Sequence, residues 1–282
     1  AELAGFGQIT LLEEPQAVCY DWFNRHGKAA KGILHSIRLL FVVDVGGGTT
    51  DLSLIHIRHN DQGLEIDRIA VGDHWMLGGD NIDLAMARTA EQRLCSGQKK
   101  LSAASLSQLI QQCRSAKELL LSEQPPESAT VAVLGGGSRL IGGARSTEFS
   151  REEIHQLALD GFFPVVEFGD LPAKRSAAMV EFGLPYAPDP AVSRYLSQFL
   201  TQHQESCCTA LGVIGEEAVL PDAVLLNGGV FNSRAVVQRT LDILAQWRGK
   251  PVNDLDNANP DQSVAFGAVA FALTKHTSAL RM

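Results

Sequence analysis

Three glycines and two threonines, Gly46-Gly47-Gly48-Thr49-Thr50, stand between Asp44 and Asp51. Consecutive glycines permit positive φ and place no Cβ in the way, so successive backbone N–H groups can converge on an anion. Thr49 and Thr50 can add hydroxyl donors. Asp44 ends a nearly continuous apolar run, where a carboxylate can order a hydrated Mg²⁺ beside phosphates. A hairpin turn with surplus glycine is the plainer explanation, but the bracketing aspartates and the apolar run favour phosphate. No G-x-x-x-x-G-K-[ST] occurs, and a strand rather than a helix follows the glycines. The pattern is therefore neither a P-loop nor a dinucleotide-binding βαβ unit.

Other glycine turns join this one. Gly228-Gly229 follow an apolar run and precede a helical pattern, where bare backbone lets a flat ligand approach. Gly78-Gly79 open another helical pattern, whose N–H groups and dipole favour an anion. The cluster in "VLGGGSRLIGG" lies between alternating runs and reads as turns.

The elements that must hold these turns follow from periodicity. "EEPQAVCYDWFNRHG" is a helix with Pro15 in its first turn and Gly27 as its stop. "IRLLFVVDV", "TDLSLIHIRH" and "GLEIDRIAVG" are strands of a meander; the first is apolar throughout, as a central strand is, and the second alternates only roughly. "NDQG" turns between the last two. Two amphipathic helices follow, then a hairpin, then a helix opened by the capping pair Ser150 and Glu153. Five prolines crowd residues 161–190, predicting an irregular connector. One long helix is predicted from about Pro190 to Gly212, a strand and glycine turn at "PDAVLLNGGV", a helix capped by Asn232 or Ser233, and a closing capped helix at "NPDQSVAFGAVAFALTKH". Trp22 and Trp75 read as packing residues, and His74, beside Asp73, as a solvated loop histidine.

The bulk composition narrows the class. The 282 residues carry a net charge of −8 and no long basic run, which argues against nucleic-acid binding. No uncharged apolar stretch is long enough to span a membrane, and the first ten residues lack the pattern of a signal peptide. Of the five cysteines none forms a C-x-x-C pair, so neither structural zinc nor a disulfide framework is predicted. Adjacent Cys207 and Cys208 read as small residues on a partly buried helix, and a reducing cytoplasm fits.

Taken in order, Glu14-Pro15, "DVGGGTTDLSLI", "GDHWMLGGDNID", "CRSAKELLLS", "VLLNGGVFNSRAVVQ" and "NPDQSVAFGAVA" resemble the ATPase domain of the DnaK-type heat-shock chaperones, within the actin-like ATPase superfamily. The motifs span nearly the whole chain, which is more specific than any one of them. The resemblance implies an α/β fold of RNase-H-like type: a mixed sheet with flanking helices and an inserted smaller α/β subdomain. It implies that residues 1–37 are the edge of a first lobe, 38–78 and 190–282 the RNase-H-like subdomain of a second, 79–160 the insertion and 161–189 a connector. It implies ATP or ADP with Mg²⁺ as cofactors. Glu14 would act on the metal through water, and Asp44 would face the metal's shell. Gly46, Gly47, Gly48, Thr49 and Thr50 would surround the phosphates, with Asp51 and Thr49 near the attacking water. Gly79 and Asp80 would face the nucleotide. Lys117, Gly228, Gly229 and Asp261 would line the adenosine site. Unfolded clients, J-domain-like proteins and nucleotide-exchange factors are the implied partners of the full-length protein.

The departures are specific. Arg114 and Glu118 stand where relatives carry a carboxylate and an arginine, so both charges are reversed. The turn after Gly229 has Val230, Phe231 and Asn232 in place of a serine and the arginine that stacks on adenine. Phe231 would supply a replacement stacking surface. The first phosphate loop of such ATPases would precede the Glu14-Pro15 helix, so the 282 residues are expected to be part of a longer protein and to bind nucleotide weakly alone. A scaffold of this fold that has lost ATP, a filament-forming bacterial actin relative and a sugar kinase of the same superfamily are the alternatives.

Overall fold

The computed structural model describes Gly5, Gly7 and residues 9–60, 63–95, 100–133, 145–173, 187–215 and 217–274. The predicted turn residues 61 and 62, the glycine cluster at 134–144 and the middle of the proline-rich connector lie outside them.

Helix α1 (Glu14–His26) begins with Pro15 in its first turn and stops at Gly27, which has φ 49°. A 3₁₀ turn and the short α2 (Ala30–Ile33) lead to β1 (Leu39–Val45), buried at every residue. β1 pairs antiparallel with β2 (Thr50–Asn60), and β2 with β3 (Gly63–Val71). The rough alternation of β2 has a cause. The register of β2 on β3 slips between Leu54 and Ile55, so Leu52 and Leu54 face one core while Ile55 and Ile57 face the other.

Next come α3 (Gly79–Cys95) and α4 (Ala103–Leu120), then the hairpin of β4 (Ser128–Val133) and β5 (Arg145–Ser150). The capping box of Ser150 and Glu153 is formed at the start of α5 (Arg151–His155), which runs on as a π-helical turn over Gln156–Phe162. The single long helix predicted to follow is instead two, α6 (Val192–Gln202) and α7 (Gln204–Leu211). The break at His203 leaves the Gln204 side chain bonded to the Leu200 and Val219 carbonyls and to the Val219 N–H. Cys207 is buried on α7, its thiol pushed up to about 11 by burial, which keeps it protonated and inert.

β6 (Ala223–Asn227) pairs parallel with β1, and a 3₁₀ turn at Gly229–Asn232 leads into α8 (Arg234–Arg248). The two-residue β7 (Asn253–Asp254) and α9 (Ser263–Thr274) complete the described elements. The sheet order is β3-β2-β1-β6-β7, a mixed five-stranded sheet flanked by helices and consistent with an actin-like ATPase lobe. Odd residues of β1 (Leu39, Phe41, Val43, Val45) point to the core shared with α3, α4, α6 and α8. Leu40 and Val42 point to a second core under α1, with Trp22 and Ile37. Burial on both faces explains why β1 is apolar throughout. No helix among the described residues is long and apolar enough to cross a membrane.

Candidate functional site

The glycine stretch is the tip of the β1–β2 hairpin. The Gly46 N–H donates to the Thr49 carbonyl at 3.0 Å, closing the turn. Among the described residues, no acceptor takes the N–H groups of Gly47, Gly48 or Thr49. Three successive free donors are what an anion nest requires.

The other side of the loop is committed to α3. Gly79 and Asp80 donate their N–H groups to the carbonyls of Gly46 and Gly47 at 3.0 and 2.7 Å, and the Gly78 N–H donates to Asn81 Oδ1. The first donors of α3 are thus satisfied by protein, which corrects the reading of that helix start as an anion site. Gly78 is glycine because the backbones touch: a Cβ there would sit 2.5 Å from the Gly46 oxygen. Thr50 is corrected as well. It is buried, and its hydroxyl donates to the Leu77 carbonyl at 2.8 Å, so that donor faces the core and not the turn.

Beside the hairpin lies a cleft of about 640 Å³ between α3, α4 and the start of α8. It gathers Gly46, Gly47, Gly79, Asp80, Lys117, Gly229 and Asp261 from five separate segments. Gly228 lies behind it, with φ 91°; a Cβ there would overlap the Val45 carbonyl and come within 2.7 Å of Asp44 Oδ1.

The electrostatics of the cleft centre on Asp83, a residue the motif reading passed over. Asp83 is fully buried and pairs with Lys117 Nζ at 2.7 Å and Arg114 Nε at 3.2 Å. Arg114 also pairs with Asp80, and Lys117 reaches the Gly79 carbonyl at 3.1 Å. The spacing held the signal: Asp83 is three residues past Asp80, on the same face of α3. The reversed charge at Arg114 is thereby explained, since it neutralises two α3 carboxylates. Lys117 is 12% exposed and Arg114 41%. Lys117→Met should cost about 3–5 kcal/mol, because it removes the buried partner of a fully buried carboxylate and leaves it only the more exposed Arg114, whereas Arg114→Met should cost no more than about 1 kcal/mol. Urea unfolding of the two variants measures the difference.

A second group gathers at the base of the hairpin. Asp44 and Asp51 face each other across the β1–β2 pair. Asp44 is buried and accepts a hydrogen bond from Asn227 Nδ2 at 2.7 Å. Burial pushes its carboxyl up to about 6; the Asn227 bond opposes that rise, and the charges of Glu14 and Asp51 add to it. Glu14, exposed in the first turn of α1, is therefore within electrostatic reach of Asp44. His74 is not a free loop histidine: its Nδ1 lies 2.6 Å from Asp51 Oδ1, and that bond raises its pKa. Asn227 is held in turn by Asn257 Nδ2 at 2.9 Å, and Ser263 at the start of α9 reaches Asn257 Oδ1 at 2.8 Å. Among the described residues no three His, Cys, Asp or Glu side chains converge to ligate a metal directly. A cation here would keep its waters, with the carboxylates outside them.

Phe231 does not replace the missing arginine. It is buried and packs edge-on against Phe163, with ring centroids 6.2 Å apart. Val230 lines the cleft instead, and Asn232 Nδ2 donates to Asp261 Oδ2 at 2.8 Å.

No family profile matches the chain. Over 270 residues, 95% of its length, it is 28% identical to the chaperone protein HscA homolog of Burkholderia cenocepacia, of which the match covers 33%. Over 94 residues it is 34% identical to the chaperone protein HscA homolog of Acinetobacter baylyi. The chain spans about a third of the length of the Burkholderia relative. These likenesses to Hsp70-family chaperones, with the mixed sheet, are consistent with a divergent DnaK-type, actin-like ATPase domain.

Proposed function

We propose that this chain is the nucleotide-binding lobe of a DnaK-like chaperone ATPase, taking ATP or ADP with Mg²⁺. The observation that carries the reading is the hairpin: three backbone N–H groups that find no acceptor among the described residues, at the edge of a cleft large enough for a nucleotide. The phosphates would rest on Gly46 to Thr49, and the adenosine between Lys117, Gly228-Gly229 and Asp261. Glu14, Asp44 and Asp51 bring three carboxylates within electrostatic reach of one another beside the loop, which fits a hydrated Mg²⁺. The metal would neutralise phosphate charge; the chain's part is to orient its waters with Asp44 and Glu14. Asp51, bonded to His74, would position the attacking water with Thr49. In the full-length protein, nucleotide state would govern the binding of unfolded clients, with J-domain-like and exchange partners, in the cytoplasm.

A nucleotide-free scaffold is the second reading, favoured by the buried Phe231 and by the ion pairs that already fill the α3–α4 side of the cleft. Calorimetric titration of Mg–ATP into the full-length protein separates the two. The expected result is saturable binding, weakened at least about tenfold by Gly47→Val, whose side chain would crowd Asp80 across the loop. Absence of binding by the unmodified protein would overturn the nucleotide reading in favour of the scaffold.

A further inference from the structure

Asn227 ends β6 beside Asp44 of β1, and its buried amide could turn either end to that carboxylate. Only the N–H end attracts; an amide oxygen facing a carboxylate repels. The neighbour that decides is Asn257. Its Nδ2 donates to the Leu226 carbonyl at 3.0 Å and to Asn227 Oδ1 at 2.9 Å. Its Oδ1 accepts from Arg25 Nη2 at 3.2 Å and lies 2.8 Å from Ser263 Oγ. All four hydrogen-bonding positions of the Asn257 amide are thus filled. Two of its partners have fixed roles, since a guanidinium can only donate and a carbonyl can only accept. β7 pairs with Ala223 and Val224, so the Leu226 carbonyl lies past the end of that strand and Asn257 meets it. Arg25 is held in its turn by the buried Asp21, with Nε 2.9 Å from Oδ2. Arg25 and Leu226 therefore orient Asn257, and Asn257 orients Asn227. Asn227 then presents Nδ2 to Asp44 Oδ2 at 2.7 Å.

We propose that Asn257 is a positioning residue for Asp44, acting through Asn227, and that Arg25 sets the direction of the relay. This rests on the nucleotide reading above, in which Asp44 orients the waters of the metal. The bonds from Arg25 to Asn257, from Asn257 to Asn227 and from Asn227 to Asp44 all run donor to acceptor in one direction. Bonds aligned in this way polarise and strengthen one another in a buried site. The relay starts from a cation and ends on an anion, which fixes its sense at both ends. Capping the Leu226 carbonyl needs one N–H; the second N–H of Asn257 goes to the site. Arg25 lies on α1, whose first turn carries Glu14, so one helix serves both carboxylates assigned to the metal's shell. Groups that hold a metal-facing carboxylate from behind typically change metal affinity about 10- to 100-fold when lost.

The test has two readouts on the full-length protein. The first is the side-chain amide signal of Asn227 in ligand-free protein labelled with ¹⁵N-asparagine. Bonded to a carboxylate, it should lie downfield and exchange slowly. Asn257→Asp keeps the shape of residue 257 but only accepts, so it should draw the Asn227 N–H away from Asp44 and move that signal. Arg25→Lys, which still only donates, should leave the signal in place. The second readout is calorimetry with ATP in EDTA and with Mg–ATP. Asn257→Asp should cut the gain in affinity that magnesium brings by about tenfold and leave ATP in EDTA within about twofold. The added negative charge would by itself favour the cation, so a fall cannot come from charge. Asn257→Ala, which removes the donor without adding charge, should act in the same direction and decides the matter if the aspartate variant does not fold. An unmoved Asn227 signal overturns the relay whether or not nucleotide binds. A moved signal with an unchanged magnesium gain overturns the positioning role and leaves the nucleotide reading standing. If the unmodified protein binds neither form of ATP, that reading falls and the positioning role with it.

Discussion

Replacing Asp44 with asparagine should raise the melting temperature of the ligand-free protein at pH 7.5 and, on the proposed nucleotide reading, abolish magnesium-dependent turnover by the full-length protein. The reason is the burial of Asp44 at the base of the glycine hairpin, where, among the described residues, Asn227 alone donates to it. Its carboxyl is raised from 3.8 to about 6. Between those values the folded state binds more protons than the unfolded one. Stability therefore falls as pH rises through that window, and stays at the lower level above about 6. At neutral pH the ionised carboxylate thus destabilises the apo fold, on the order of 3 kcal/mol. Asparagine is neutral, of the same shape, and its side-chain oxygen can still accept from Asn227 Nδ2. The gain should be roughly 4–8 °C for a chain of this size and should vanish near pH 4, where Asp44 is protonated. On the proposed reading turnover should fall, because the charge that would order the metal's waters is gone. Thermal melts in EDTA at pH 4 and 7.5, with a phosphate-release assay, check both halves. Identical melting of the two proteins at pH 7.5 would show that the carboxylate is not held against its ionisation. The opposing effects would mark Asp44 as a site where stability is given up for function.

Gly267→Ala should be the most disruptive added methyl among the described glycines. Gly267 lies where α9 crosses α1, and a Cβ there would overlap the Ala17 carbonyl and lie 2.9 Å from its Cα. Both obstacles are backbone inside a helix, so no side chain can turn aside, and the helices must part. The expected cost is at least about 3 kcal/mol, at or beyond the usual range for overpacking. The effect should reach the site, because α1 carries Glu14 and α9 starts at Ser263. Ser263 is the end of the hydrogen-bonded chain through Asn257 and Asn227 to Asp44. Gly215→Ala is the control: nothing lies within 4 Å of its added methyl. Urea unfolding should separate the two variants widely. Coincident transitions would mean that α1 and α9 are not in close contact in solution.

What the sequence determined by itself is whatever depends on neighbours along the chain. The β-meander, the glycine hairpin between Asp44 and Asp51, the capping box at Ser150 and Glu153, and the starts of α1 and α3 follow from local φ preference and periodicity. A series of such features in fixed order was enough to carry a resemblance to the DnaK-type ATPase domain, with which the mixed sheet is consistent. The tertiary structure decided what depends on contacts across the chain. The Thr50 hydroxyl faces Leu77 and not the turn, because β2 is buried where the segment after β3 crosses it. Phe231 turns inward onto Phe163, since a large apolar ring gains more in the core than at a cleft edge. His74 finds Asp51, 23 residues away, and not its neighbour Asp73. Lys117 and Arg114 find Asp83 because two helices adjacent in the fold must neutralise a buried carboxylate. The helix predicted across His203 is broken because Gln204 is needed to satisfy the backbone of Val219. In each case the side chain's type was legible from the sequence, and its partner was not, because burial and pairing are set by segments that meet only when the sheet and its helices close on one another.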